Sequence, residues 1–118
     1  MQFHSDKAIY IQIADYALEK IGKGEWKPDD KIPSVRDLAS ELEVNPNTVM
    51  RTYDFLQQQE IIYNKRGLGF FVQENAKNII HTQKKKQFME VELPAFFESM
   101  DLLGISIDDV VQHYKNKK

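Results

Sequence analysis

With 118 residues, 42% of them hydrophobic and 29% charged, the chain has the size and composition of one compact globular domain with a small appendage. No apolar run reaches bilayer length, no signal-peptide core opens the chain, and with no cysteine there is neither a disulfide framework nor a thiolate or cysteine–zinc site. A cytosolic, membrane-free protein without a metal or other cofactor is therefore expected, and its net charge of −2 speaks against a nucleic-acid partner only until the charge is mapped along the chain.

Residues 1–60 hold 7 Lys/Arg against 11 Asp/Glu, residues 61–90 hold 6 against 2, and the remainder holds 3 against 5. The positive charge is thus concentrated in one segment, which suits a DNA binder better than the total does. Ile9, Ile13, Ala17 or Leu18, and Ile21 recur at helical spacing with Gln12, Asp15, Glu19 and Lys20 between them, predicting a first helix that ends at Gly22 and Gly24. Pro28 and Pro33 make 26–33 a turn leading into a short extended piece. Ser34 and Asp37 have capping-box spacing, and Val35, Leu38, Ala39 and Leu42 form the apolar face of a second helix that runs to about Glu43. Asn45 followed by Pro46 is an N-cap with proline at the first helical position, opening a third helix that runs to about Gln59.

Two short capped helices joined by a brief turn have helix-turn-helix form. Ile61, Ile62, Tyr63 and Asn64, then Phe70, Phe71, Val72 and Gln73, are β-forming runs around a Lys65-Arg66-Gly67-Leu68-Gly69 loop, so a hairpin wing with two cations at its tip is expected. Such a wing is positioned for phosphates or a minor groove. At 100° per residue the third helix turns Val49, Thr52, Tyr53 and Leu56 inward and Asn47, Arg51, Asp54 and Gln58 outward, with Thr48, Met50 and Phe55 flanking. Asn and Arg pair bidentately with adenine and guanine in the major groove, which singles out Asn47, Thr48 and Arg51. Asp54 is expected either to orient Arg51 from three residues away or to accept from a cytosine amine.

These motifs resemble the GntR family of bacterial transcription regulators. The resemblance is carried by Ile9 to Ile13, by the run from Ile32 to Ala39, by Val44-Asn45-Pro46-Asn47-Thr48-Val49 and by the run from Lys65 to Val72. The Asn-Pro-Asn-Thr-Val turn and the short chain point to the YtrA subfamily. The resemblance implies regulation, with repression the expected mode, by a homodimer on operator DNA. It implies DNA contacts from Arg36, Asn45, Asn47, Thr48, Arg51, Arg66 and Gly67; Ser34 and Lys65 complete the candidate DNA-binding set. Two departures from the family pattern are structural. Asp29 stands where relatives usually carry glycine, and Glu60 replaces a glycine that commonly ends helix three, so that helix is expected to end without the usual left-handed residue.

Beyond Glu74 the pattern is helical again. Ile79, Ile80, Phe88, Val91, Phe96, Phe97, Met100, Leu102 and Leu103 are too apolar for a solvated tail; Pro94 is expected to kink or restart the helix and Gly104 to end it. Ser106 and Asp109 form another capping-box pair opening a last helix, with Val110, Val111 and Tyr114 expected inward. Two such helices cannot form a core alone and must pack on the winged helix or on a partner chain; a homodimer is expected, with Phe88, Val91, Phe96, Phe97, Met100 and Leu103 at its interface, and packing within one chain is the alternative. Lys84, Lys85 and Lys86 form a charge run that could add phosphate contacts, though its ordinary reading is a solvated face.

The fold expected is α+β and mostly helical: an N-terminal winged helix-turn-helix over 1–74 and a short two-helix dimerisation region over 75–118. His4, His81 and His113 lack ligand spacing, no glycine-rich phosphate loop precedes a helix, and no nucleophile–base pair can be assembled, so an enzyme is not expected. The alternative is a winged-helix adaptor for protein partners, which would expose an apolar patch where this chain places Asn, Arg and Lys. The tail is short for a closed ligand pocket, so a small-molecule effector is possible but not implied.

Overall fold

The computed structural model describes all 118 residues. Its elements are α1 (Ile9–Gly22), α2 (Val35–Leu42), α3 (Pro46–Gln58), β1 (Ile62–Lys65), β2 (Gly69–Val72), α4 (Ala76–Gln87), a π-helical turn (Phe88–Glu92), α5 (Leu93–Leu103) and α6 (Ile107–Asn116). They form two compact units, Met1–His81 and Thr82–Lys118, with α4 straddling the division. The first unit thus runs past 74, where the sequence pattern suggests a boundary, because Ala76 and Ile80 at the start of α4 belong to its core.

That core gathers Ile13, Ala17 and Ile21 of α1, Leu38 and Leu42 of α2, Val49, Tyr53 and Leu56 of α3, and Ile61, Ile62 and Val72 of the hairpin. All four positions assigned inward on α3 are buried, Thr52 included. On α1 the expected face is corrected at two residues. Ile9 is 45% exposed, since it lies at the first helical position, a turn ahead of the core. Gln12 is buried instead. Its amide nitrogen donates to the carbonyls of His4 at 2.7 Å and Lys7 at 2.9 Å, and its Oε1 accepts from the His4 N–H at 2.8 Å. A fully bonded amide can be buried without the penalty of an orphaned polar group, and here it ties the N-terminal segment to α1.

The three helices of this unit end alike. After α1 the Glu25 N–H reaches the Lys20 carbonyl and the Gly24 N–H that of Ile21; after α2 Val44 reaches Ala39 and Glu43 reaches Ser40; after α3 Ile61 reaches Leu56 and Glu60 reaches Gln57. These paired 6→1 and 5→2 bonds define the Schellman ending, whose pivot residue is left-handed. The pivots are Gly24 (φ 78°), Glu43 (φ 58°) and Glu60 (φ 60°). The expectation that α3 ends without a left-handed residue is thus wrong: Glu60 adopts that conformation itself, because Ile61 beyond it must be buried against the core. Asp29, the other departure from glycine, is left-handed as well (φ 63°).

The extended piece after the turn docks on the edge of β2 through an isolated bridge. Lys31 forms an antiparallel bridge with Phe71, the Asp29 N–H donates to the Val72 carbonyl, and the Ile32 N–H donates to that of Phe70. β1 and β2 pair antiparallel from Ile62–Val72 to Lys65–Gly69. The turn itself is therefore Arg66, Gly67 and Leu68, and Lys65 closes the ladder instead of lying in the loop.

In the second unit, the end of α4, the π turn and α5 succeed one another without an intervening loop. Pro94 has no N–H to complete the α-helical ladder. The helix meets this with the π turn, in which the Leu93 N–H bonds to the Phe88 carbonyl five residues back, and α5 then restarts with Pro94 in its first turn. Gly104 ends α5, and Ser106 and Asp109 form a complete capping box for α6. The inward assignment on α6 is corrected: Val110 is half-buried, while Val111 and Tyr114 are exposed.

Two measurements test these local arguments. A left-handed conformation costs a residue with a Cβ about 1–2 kcal/mol that glycine avoids. Glu60→Gly is expected to stabilise the protein by about 0.5–1 kcal/mol after glycine's greater chain entropy is allowed for, read as a higher urea midpoint at unchanged m-value. The second test concerns Tyr53, whose buried hydroxyl donates to the Pro33 carbonyl at 2.7 Å. Burial, helped by the negative charge of Glu41, pushes its phenol well above the ordinary tyrosine range. Above pH ~10 the unfolded chain ionises there while the folded chain holds its proton, so stability must fall as pH rises through that range. Tyr53→Phe is expected to cost about 1–2 kcal/mol at neutral pH and to reduce that alkaline loss in denaturation curves taken between pH 8 and 11.

Candidate nucleic-acid interface

The α2–α3 turn is made by the left-handed Glu43, then Val44, then Asn45 as the cap of α3. Asn45 Oδ1 accepts from the Asn47 N–H at 2.8 Å, so its carbonyl caps α3 while its NH2 is left to donate to another partner. Ser34 Oγ accepts from the Asp37 N–H at 3.0 Å. Unlike Ser106–Asp109, this pair forms only the forward half of a capping box. The Ser34 hydroxyl proton stays free to donate outward.

Two buried hydroxyls fix how α3 lies. Thr52 Oγ1 is 2.8 Å from the Tyr10 carbonyl on α1, with its own Thr48 carbonyl as the alternative acceptor at 3.2 Å. Tyr53 binds the Pro33 carbonyl, and its ring meets Phe70 of the wing edge-on at 4.9 Å. The helix is thus held on one side to α1 and on the other to the segment entering α2 and to the wing. Asn47, Met50, Arg51 and Asp54 are left exposed and Thr48 half-buried.

Arg51 does not pair with Asp54. Its guanidinium carbon lies over the Tyr10 ring, 3.9 Å from its centre, so orientation from Asp54 is corrected to a cation–π contact with α1. Asn47, Thr48 and Arg51 share a groove of about 380 Å³ with Ala8, Ile9 and Tyr10. The first turn of α1 therefore borders the outward face of α3, which helical periodicity within either segment does not reveal.

On the wing, Lys65 Nζ sits 4.8 Å from the Phe71 ring and 5.8 Å from that of Tyr63, and these two rings stack on each other at 5.7 Å. Tyr63 donates its hydroxyl to Asp29 at 2.9 Å, which raises its pKa. Arg66 and Gly67 are exposed at the turn, with Gly67 left-handed at φ 80°. Lys31 is a residue that the sequence reading missed. Its Cε lies 3.0 Å from where a Cβ on Gly69 would stand, and it lines a second groove, of about 370 Å³, with Ser34, Arg36, Met50 and Phe70. The Lys31–Phe71 bridge and the flanking Asp29–Val72 and Ile32–Phe70 hydrogen bonds put this lysine next to the wing; nothing in its local sequence marks it.

The candidate residues thus fall at three places: Ser34 and Arg36 at the start of α2, Asn45 to Arg51 at the start of α3, and Lys65 to Gly67 on the wing. The ion pairs, by contrast, all lie on α1 and its flanking turns, between Lys7 and Asp15, Lys20 and Glu25, and Lys23 and Glu19. Lys31, Arg36, Arg51, Lys65 and Arg66 have no carboxylate partner. No group of three His, Cys, Asp or Glu side chains is arranged to hold a metal ion, and no helix is long and apolar enough to cross a membrane.

In the second unit Phe88, Val91, Phe96, Phe97 and Leu103 are between 46% and 72% exposed, whereas Met100 is buried. Met89, Leu102, Ile105 and Ile107 extend this exposed apolar set.

Residues 9–72 match the family described as bacterial regulatory proteins, gntR family. The chain is 40% identical to an uncharacterized HTH-type transcriptional regulator, YhcF, of Bacillus subtilis, over 97% of this chain and 93% of that protein. It is 38% identical to the HTH-type transcriptional repressor YtrA of the same organism, over 83% and 78%. A crystal structure of a putative GntR-family transcriptional regulator from Bacteroides thetaiotaomicron superposes with a TM-score of 0.81 at 48% identity, covering 92% of this chain and 94% of that one. The chain belongs to the gntR family of bacterial regulatory proteins and, within it, to the YtrA subfamily.

Proposed function

We propose that this transcription regulator represses its genes by binding a two-fold operator as a homodimer, with the start of α3 in the major groove and the wing at the minor groove or backbone. The observation that carries the reading is where the cations of the first unit sit. Lys31 and Arg36 line one groove beside Met50 and Phe70, Arg51 lines another with Asn47 and Thr48, and Lys65 and Arg66 are exposed on the wing, none of them paired with a carboxylate. Phosphates are the partner such a set fits, and Asn47, Thr48 and Arg51 supply groups that read base edges. An adaptor surface would be apolar at the same place; here Met50 is the one large apolar residue exposed on α3.

The second unit supports the dimer. Phe88, Val91, Phe96, Phe97 and Leu103 leave apolar surface that a monomer would hold against water. A second copy of the same helices gives a self-complementary, two-fold interface, which suits a two-fold DNA site. The buried Met100 supports packing within one chain instead of across the interface. A repressing role rests on the relationship to YtrA, and no effector is needed by this reading.

Two experiments test it. Binding of the full chain to a duplex selected from a random-sequence pool should weaken steeply with salt. Arg66→Ala should lower the log–log salt slope by about one with little change in sequence preference, whereas Arg51→Ala should lose about 1–3 kcal/mol of discrimination at one base pair. Absence of any preferred duplex would overturn the reading. For the dimer, Phe97→Asp is expected to shift the sedimenting species from two chains to one at micromolar concentration; a wild-type chain that sediments as a monomer would exclude it.

A further inference from the structure

We propose that Tyr10 is a positioning residue for base recognition: its ring is the platform that holds the Arg51 guanidinium flat and directs its N–H edges outward. The proposal rests on reading α3 as the recognition helix and adds a determinant from outside the helix-turn-helix. Arg51 sits on an exposed helical position, where a free arginine samples many rotamers, and its guanidinium carbon lies 3.9 Å from the Tyr10 ring centre. At that distance the guanidinium has room to lie face-on over the ring, an arrangement that leaves its donor edges open as bidentate pairing to guanine requires. No carboxylate of the chain takes those donors; Asp54, three residues on, does not reach them.

The platform is itself fixed. The Tyr10 carbonyl accepts the Thr52 hydroxyl at 2.8 Å, one residue beyond Arg51, and the Tyr10 ring meets Phe55 edge-on at 6.1 Å, one turn further along the same face. Tyr10 is thus held by two residues of α3 that follow the arginine it supports. A guanidinium arranged in this way before binding loses less freedom when it pairs with a base, and the gain appears in discrimination more than in general DNA affinity. The Tyr10 hydroxyl plays no part, so phenylalanine should serve equally.

The test compares binding of the full chain to its pool-selected duplex and to a scrambled duplex of the same composition. Tyr10→Leu is expected to reduce that preference roughly fivefold to tenfold, the scale of one lost cation–π contact, while leaving the salt slope unchanged. Tyr10→Phe should restore the preference to within about twofold. In an Arg51→Ala background, Tyr10→Leu should cause no further loss, which a purely structural role would not produce. Thermal melting checks that each variant is folded. If Tyr10→Leu does not fold, the wild-type protein still decides the matter: Arg51 side-chain protons should resonate upfield of their free-peptide positions because of the ring current. Unshifted Arg51 protons, or a preference that survives Tyr10→Leu, overturn the proposal. A pool from which the wild type enriches no sequence overturns instead the DNA-binding reading on which it rests.

Discussion

The presentation of α3 depends on two hydroxyls buried in consecutive positions. Thr52 is tied to the Tyr10 carbonyl and Tyr53 to the Pro33 carbonyl, so adjacent residues of one helix are anchored to two different parts of the chain. Apolar packing alone is non-directional and would let α3 slide or roll by a fraction of a turn. A hydrogen bond in a buried setting is costly to leave unmade, and two of them pointing different ways fix both the height and the rotation of the helix. Everything on the outward face, from Asn47 to Arg51, inherits its direction from these bonds.

The same directional control runs through the connections. The three helices α1, α2 and α3 end in Schellman motifs, and each motif turns the chain toward the element that follows. Gly24 leads to the turn before the extended segment, Glu43 to the cap of α3, and Glu60 to the hairpin. Glutamate at two of these pivots carries a local strain that is tolerated because packing of Val44 and Ile61 just beyond them offsets it. The extended segment then docks on β2, and through that docking Lys31 joins a surface built by α2 and the wing.

The two units obey different physics. In the first, every element has a partner and the polar groups taken inside, Gln12 and Thr52, are bonded. In the second, a helical run interrupted by a π turn and followed by α6 leaves Phe88, Phe96, Phe97, Leu102 and Leu103 in contact with water. Such a surface on a small helical unit is unfinished, and a second copy is the partner proposed to complete it.

Sequence by itself determined the helices, the hairpin and the outward set on α3, because caps, prolines and 3.6-residue periodicity act over a few residues and are written in adjacent letters. It also carried the family, through motifs spread over the wing and the α2–α3 turn. Tertiary structure decided what depends on residues far apart in the chain. Gln12 reads as a surface polar residue until its amide meets the His4 and Lys7 backbone, and Ile9 reads as core until α1 is docked. Glu60 offers no left-handed signal of its own; the burial of Ile61 imposes one. Arg51 gives no sign in its own helix that its support is Tyr10, on another helix, and Lys31 gives none that it flanks the wing. Those placements follow from packing, which local patterns in a chain do not encode one segment at a time.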